Sequence, residues 1–204
     1  MEEPNLEELR SQYEVLKIGY GCALRTVETL VTNLYEKMRV TEGGCPFNGT
    51  KSRIKTFESV VEKCKRKGIP LEIDTIRDRI TDIAGLRIIC PFKNEIYKTR
   101  DALFNNLLGM SVVETKDYVA EPKENGYKSY HVVLSVPEKP AFVPVEIQIR
   151  SAYMDAWATC EHKLCYKNPD STEEATATLK AAAEKIEEIE EIMEQLRKTK
   201  NPAN

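Results

Sequence analysis

Val143-Pro144-Val145-Glu146-Ile147-Gln148-Ile149-Arg150 alternates with a period of two. Val143, Val145, Ile147 and Ile149 fall on one side; Glu146, Gln148 and Arg150 fall on the other. Successive strand residues point to opposite faces of a sheet. The octapeptide therefore predicts a strand with one face on a core and the other on a cleft or a partner. A carboxylate on such a strand is informative, because acids are seldom enclosed without a partner or a task.

Outward from this strand the pattern is mixed. Leu86–Cys90 is apolar apart from Arg87 and predicts a buried strand, and 111–119 and 129–136 predict two more. Glu124-Asn125-Gly126 supplies the turn before the last of these. Helices are expected at 94–108 and 152–166, and at 56–68 with Thr56 as N-cap and Gly68 at the C-terminal end. A short helix at 74–80 leads into the turn Asp82-Ile83-Ala84-Gly85, and Gly43-Gly44-Cys45-Pro46 reads as a loop. Residues 5–39 carry an apolar 3–4 spacing from Leu6 to Met38, a long helix that Gly19 and Gly21 are expected to weaken or bend. A final helix over 172–199 has the stripe Leu179, Ala182, Ala183, Ile186, Ile189, Met193 and Leu196. The order predicts an α+β fold with four or five strands and long terminal helices. Those helices carry more apolar face than a small sheet needs, which points to self-association.

The chain's 204 residues suit one domain with helical additions. The hydrophobic fraction of 41% and charged fraction of 31% describe a globular protein with a charged surface. No apolar run nears the roughly 18 residues of a membrane span, and the acidic start lacks the pattern of a secretory signal. The cytosol is the expected location, with no membrane partner. The six cysteines form no CxxC pair and no Cys-His zinc spacing, so they are expected as free thiols. Cys22, Cys90 and Cys160 sit in apolar patterns and are expected to be buried.

A net charge of −3 excludes a general polyanion binder, but the charge is unevenly spread. Lys51, Arg53, Lys55, Lys63, Lys65, Arg66 and Lys67 face only Glu58 and Glu62 in one short run. On a helix Ser59, Lys63 and Arg66 or Lys67 share a face, and the preceding extended turn brings Arg53 and Lys55 alongside. Such a ladder suits a triphosphate; an ordinary solvated basic face is the alternative. Asp82 before its glycine turn and Glu146 on its strand suit a phosphate-bridging magnesium ion or a proton acceptor, or else pairing with Arg87 or Arg150. In Asn125-Gly126-Tyr127-Lys128-Ser129-Tyr130-His131, tyrosines beside Lys128 and His131 suit base stacking and phosphate contact. Trp157 and Cys160 share a helix face and read as core.

In this order the segments SRIKTFES (52–59), DIAGLRI (82–88), NGYKSYH (125–131), EIQIR (146–150) and MDAWATCEHKLCYK (154–167) resemble the small alarmone synthetases, single-domain relatives of the synthetase domain in RelA/SpoT-type enzymes. The resemblance implies a nucleotidyltransferase-like mixed sheet of about five strands. It implies a synthetase core at 43–168 between an N-terminal helix at 1–42 and an oligomerising C-terminal helix at 169–204. It implies transfer of the β,γ-diphosphate of ATP to the 3′-hydroxyl of GDP or GTP with Mg²⁺, giving ppGpp or pppGpp, and no hydrolase activity. Arg53 and Arg87 would sandwich adenine, and Lys55, Ser59, Lys63 and Arg66 would hold the ATP phosphates. Asp82 would bind the metal, and Glu146 would contact it or activate the acceptor hydroxyl. Tyr127 would stack on guanine with Asp155 near its edge, while Lys116, Lys123, Lys128 and His131 neutralise the acceptor phosphates and Gln148 supports them from behind. Phe57, Lys128, Ser151 and Ala156 depart from the residues common in the family; Lys128 for arginine loses bidentate geometry. A homotetramer is expected, with single-stranded RNA a candidate regulator. A pyrophosphokinase acting on the tRNA 3′ end and a non-catalytic nucleotide- or RNA-binding oligomer are the other readings.

Overall fold

The alternation around Glu146 becomes β5 (Ala141–Ser151), the middle strand of a five-stranded sheet in a computed structural model that describes residues 5–41, 44–138, 141–165 and 172–200. The sheet order is β1 (Gly49–Ile54), β2 (Ala84–Cys90), β5, β4 (Tyr130–Glu138) and β3 (Ser111–Asp117). Only β2 and β5 run parallel; the other neighbours are antiparallel. The mixed α+β architecture is therefore the expected one.

One face of the sheet is apolar and closed. Leu86, Ile88, Val132, Leu134, Val145, Ile147 and Ile149 join the core, each no more than 2% exposed. Helix α1 (Leu6–Thr41) lies across that face and contributes Tyr13, Tyr20, Val27, Leu30 and Val31. It runs unbroken through Gly19 and Gly21, because this buried stripe outweighs the propensity cost of two glycines, about 1 kcal/mol each. Tyr13 also donates from Oη to the Lys55 carbonyl at 2.8 Å, tying α1 to the end of β1.

Strand β1 replaces what the sequence presents as an extended turn. Its residues are almost all exposed, so no apolar alternation marks it. Charged edge strands look like this, because only one side is paired. Helix α2 (Phe57–Lys67) has the expected caps: the Ser59 amide donates to Thr56 Oγ1, and Gly68 adopts φ 62°. Helix α3 (Ile73–Arg79) is short. Helix α4 (Asn94–Phe104) stops before the expected position 108, where Asn106 turns back to donate to the Ala102 carbonyl.

Helix α5 (Ala152–Cys165) leaves β5 directly, and α6 (Glu173–Lys200) packs on it through a small second cluster of Trp157, Ala158 and Ala183. Tyr166 and Lys167, which end the fifth motif, lie outside the described residues, as does Gly43 of the expected loop. Of the α6 stripe, Ala183 is buried and Leu179 and Ile186 pack beside it; Ile189, Met193 and Leu196 are exposed. The expected burial of cysteines is corrected at two positions: Cys90 is buried, Cys22 only half-buried and Cys160 exposed. Cys160 lies one turn from Trp157, but α6 covers only the Trp157–Ala158 side of α5. No described helix is long and apolar enough to cross a membrane.

Candidate active site

The open face of the sheet carries the polar half of each alternation, and the register sets these residues in rows. Lys51 pairs with Arg87, Arg87 with Gln148, Gln148 with His131, and His131 with Lys116, one residue from each strand. The adjacent row is Arg53, Gly85, Glu146, Val133 and Glu114. Gly85 has no side chain, so the floor beside Glu146 stays low between Arg53 and the carboxylate. Over these rows opens a cleft of about 830 Å³, walled by α2 on one side and by β3, the Tyr127 turn and α5 on the others.

Burial of Phe57, Val60 and Cys64 on α2 fixes that helix's rotation and turns Lys63 and Arg66 toward the cleft. Asp82, just before β2, meets Lys55 Nζ at 2.7 Å through Oδ2 and Lys63 Nζ at 2.7 Å through Oδ1. Burial alone would raise its pKa, but the two ammonium groups outweigh burial and hold the carboxyl down at about 2. Oδ1 is buried, with the Lys63 ammonium as its close partner. Burial pushes the Lys55 ammonium down, against the pull of Asp82.

Glu146 is surrounded differently. His131 Nδ1 lies 3.3 Å from Oε1, and Gln148 Nε2 donates to Oε2 at 2.7 Å. Burial favours protonation of Glu146 and nearby Asp82 adds to it, yet the His131 and Gln148 contacts leave the carboxyl below its ordinary range. Both acids present hard oxygen donors to one cleft. No cluster of three or more His, Cys, Asp or Glu residues suited to a metal occurs among the described residues. Two carboxylates with room for phosphate and water match the way Mg²⁺ is held with nucleotides, rather than an all-protein cage.

The far wall is aromatic and cationic. Gly126, at φ 88°, turns the chain so that Tyr127 faces the cleft. Tyr118 and Tyr127 meet edge to face at 6.0 Å, and Lys123 Nζ stands 4.8 Å from each ring centre. Burial lowers the Lys123 ammonium below its usual value.

Of the expected site residues, Arg53, Lys63, Arg66, Asp82, Arg87, Lys116, Lys123, Tyr127, His131, Glu146 and Gln148 line this cleft, and Lys55 reaches it through Asp82. Three are placed elsewhere. Ser59 serves the α2 N-terminus, its hydroxyl 3.1 Å from Thr56 Oγ1. Lys128, the next residue after Tyr127, points to the opposite side and pairs with Glu187 of α6. Asp155 is 5% exposed and bound to Lys51 at 2.9 Å and Arg87 at 2.8 Å, with Arg150 at 3.6 Å. The structure adds Arg150 and Tyr118 to the lining. Arg150 was legible in the alternation with Glu146 and Gln148; Tyr118 had no sequence signal beyond its aromatic ring.

The family described as "Region found in RelA / SpoT proteins" matches residues 52–171. The chain is 36% identical to the GTP pyrophosphokinase YwaC of Bacillus subtilis, over 93% of each protein. It superposes with a TM-score of 0.83 on the small alarmone synthetase 1 of Bacillus subtilis bound to its product pppGpp, at 34% identity, covering 92% of this chain and 97% of that one. The same synthetase bound to AMPCPP superposes with a TM-score of 0.75 at 32% identity, covering 95% of this chain and 100% of that one.

Proposed function

Since this chain belongs to the family of RelA and SpoT proteins, we propose that its cleft moves the β,γ-diphosphate of ATP to the 3′-hydroxyl of GDP or GTP, between Asp82 and Glu146. The chain is a GTP pyrophosphokinase of the small alarmone synthetase kind, making ppGpp and pppGpp. The observation that supports this use of the cleft is its division. Two carboxylates lie on one floor between a purely cationic wall and a cationic–aromatic wall.

The cationic wall suits the donor. Lys55, Lys63 and Arg66 would hold the ATP phosphates, with Ser59 at the start of the same helix, and Arg53 and Arg87 would flank the adenine. The aromatic wall suits the acceptor: Tyr127 under the guanine, Lys116 and Lys123 toward its phosphates, while His131 is held between Tyr127 and Glu146. Lys128 and Asp155 leave this acceptor set, because their charged groups are bound to Glu187 and to the Lys51–Arg87–Arg150 group. In the reaction the 3′-oxygen attacks the β-phosphorus, the bond from that phosphorus to the α-phosphate oxygen breaks, and AMP leaves. Glu146 takes the proton of the hydroxyl. Held by Asp82 and Glu146, Mg²⁺ would neutralise phosphate charge and steady the in-line arrangement.

Self-association belongs to the same proposal. Val15 and Ile18 on α1 and Ile189, Ile192 and Met193 on α6 are exposed apolar residues on the two long helices, and a homotetramer would cover them. The cytosol, where ATP and GTP are supplied, is the proposed location. Product analysis tests the function: AMP should form from ATP only with GDP or GTP and a divalent cation present. Equal AMP formation without an acceptor, or none with all three, would overturn the assignment. Replacing the guanine nucleotide by tRNA should give no labelled acceptor.

A further inference from the structure

Arg150 is a positive charge only 4% exposed on the last turn-in of β5, and nothing in the reaction requires it to touch substrate. Its surroundings give it a task. Arg150 Nη2 donates to Tyr127 Oη at 2.6 Å and to Gln148 Oε1 at 2.8 Å. Tyr127 Oη lies 2.8 Å from His131 Nε2, and His131 Nδ1 lies 3.3 Å from Glu146 Oε1. Gln148 Nε2 closes the ring on Glu146 Oε2 at 2.7 Å.

Donor chemistry gives this ring a direction. A guanidinium can only donate and a carboxylate can only accept, so protons point away from Arg150 and toward Glu146. Tyr127 Oη accepts from Arg150, which leaves its own proton for His131 Nε2. A neutral imidazole that accepts at Nε2 carries its proton on Nδ1, the atom facing Glu146. Gln148 is oriented the same way, carbonyl to Arg150 and amide to Glu146. Asp155 anchors the start of both arms beside Arg150, with Oδ1 shared between Arg150 and Arg87.

We propose that Arg150 and the hydroxyl of Tyr127 are positioning residues, which fix both oxygens of Glu146 through two converging hydrogen-bond arms. Tyr127 thus has two separable parts. Its ring, with Lys123 Nζ 4.8 Å and the Arg150 guanidinium 5.0 Å from its centre, would seat the acceptor base beside these cations, while its hydroxyl sets the tautomer of His131 and through it the orientation of Glu146. Seating of the acceptor base against Tyr127 is in this way joined to the orientation of the carboxylate that takes the acceptor's proton.

The proposal rests on Glu146 as the proton acceptor, so it is tested by a readout that needs no turnover. The chain has two histidines. Isotope-labelled histidine, read by nitrogen NMR above the ordinary imidazole range, distinguishes them once His162→Gln assigns the signals. Neutral His131 is expected with its proton on Nδ1, and Tyr127→Phe should shift it toward Nε2. A wild-type proton on Nε2, or no change in Tyr127→Phe, overturns the relay, whereas an active Glu146→Gln variant would instead remove the reading beneath it. Kinetics give the second test. Tyr127→Phe keeps the ring, so KM for GDP should stay within about twofold while kcat falls at least about tenfold. Tyr127→Leu should raise KM as well. Gln148→Met, which cuts the other arm, should lower kcat with little change in KM. A Tyr127→Phe variant that raises KM and spares kcat overturns the proposal.

Discussion

Asp82 and Glu146 share a cleft floor and are both half-buried, yet they are held by opposite means. Asp82 is gripped by two full charges, Lys55 and Lys63, each at 2.7 Å. Glu146 has an imidazole and an amide as its partners, each directed at one oxygen. Ammonium partners act most strongly on a carboxylate's ionisation, whereas neutral directional donors orient it with less effect on its charge. The difference assigns tasks. Asp82, held down at about 2, stays anionic throughout the working range and suits a cation and phosphates. Glu146, oriented and only moderately lowered, suits a proton that must arrive along one line.

The largest expected effect comes from removing the oriented member. Glu146→Gln keeps the volume and removes the basic oxygen, so AMP formation should fall by about 10³-fold or more. ATP binding, followed by calorimetry, should persist. Loss of ATP binding of the same size would mean that the two acids are not divided as described.

The seat of the Tyr127 turn gives the next effect. A methyl group on Gly126 would stand 2.7 Å from the Ala183 side chain and 3.2 Å from the Lys180 backbone, at a left-handed φ of 88°. Gly126→Ala should therefore cost on the order of 2–3 kcal/mol in stability, from strain and overpacking together. Denaturant unfolding measures it, and an unchanged midpoint would show that α6 does not brace this wall of the cleft.

On the charged side, Lys63→Met leaves Asp82 with Lys55 and removes one phosphate partner. KM for ATP should rise about tenfold with a smaller change in kcat, and the salt sensitivity of ATP binding should fall. An equal rise in KM for GDP would break the separation of donor and acceptor walls.

The smallest effect lies behind the site, on α6. Glu190 is 3% exposed, bonded to Ser151 at 3.1 Å, and burial raises its carboxyl above the ordinary range. A raised acid stabilises the fold while protonated, and that stability is lost as pH rises through its folded value. Glu190→Gln should thus raise the melting temperature at neutral pH, by on the order of 2 °C, and the gain should vanish below the ordinary carboxylate range. Glu187 has the opposite sign. Burial would raise it, but Lys128 and Lys93 hold it low, so its contribution is lost as pH falls. Melting curves across pH separate the two; a gain that persists in acid would rule out the Glu190 account.

Four of the five strands, Glu146 among their cleft-facing residues and the basic helix were legible in the chain because each is a local periodicity. Period two in β5 separated Glu146, Gln148 and Arg150 from the core, and helical spacing grouped Lys63 with Arg66. Strand β1 was not legible, since an edge strand exposed on both faces leaves no alternation to read. Nor was the destination of Lys128, which depends on Glu187, 59 residues away. The partners of Asp155 were not legible either, since Lys51, Arg87 and Arg150 come from three different strands.

By itself, then, the sequence determined which elements form and which side chains share a face, because those follow from neighbours a few residues apart. Only the tertiary structure decided which partner each charge meets. Pairing of β2 with β5 and of β5 with β4 brings Arg87, Gln148 and His131 into one row, and α6 holds Lys128 away from the cleft. Hydrogen bonds and ion pairs act over a few ångströms in space and are indifferent to distance along the chain. Asp82 and Glu146 became distinct from each other only when the fold surrounded one with ammonium groups and the other with directed donors.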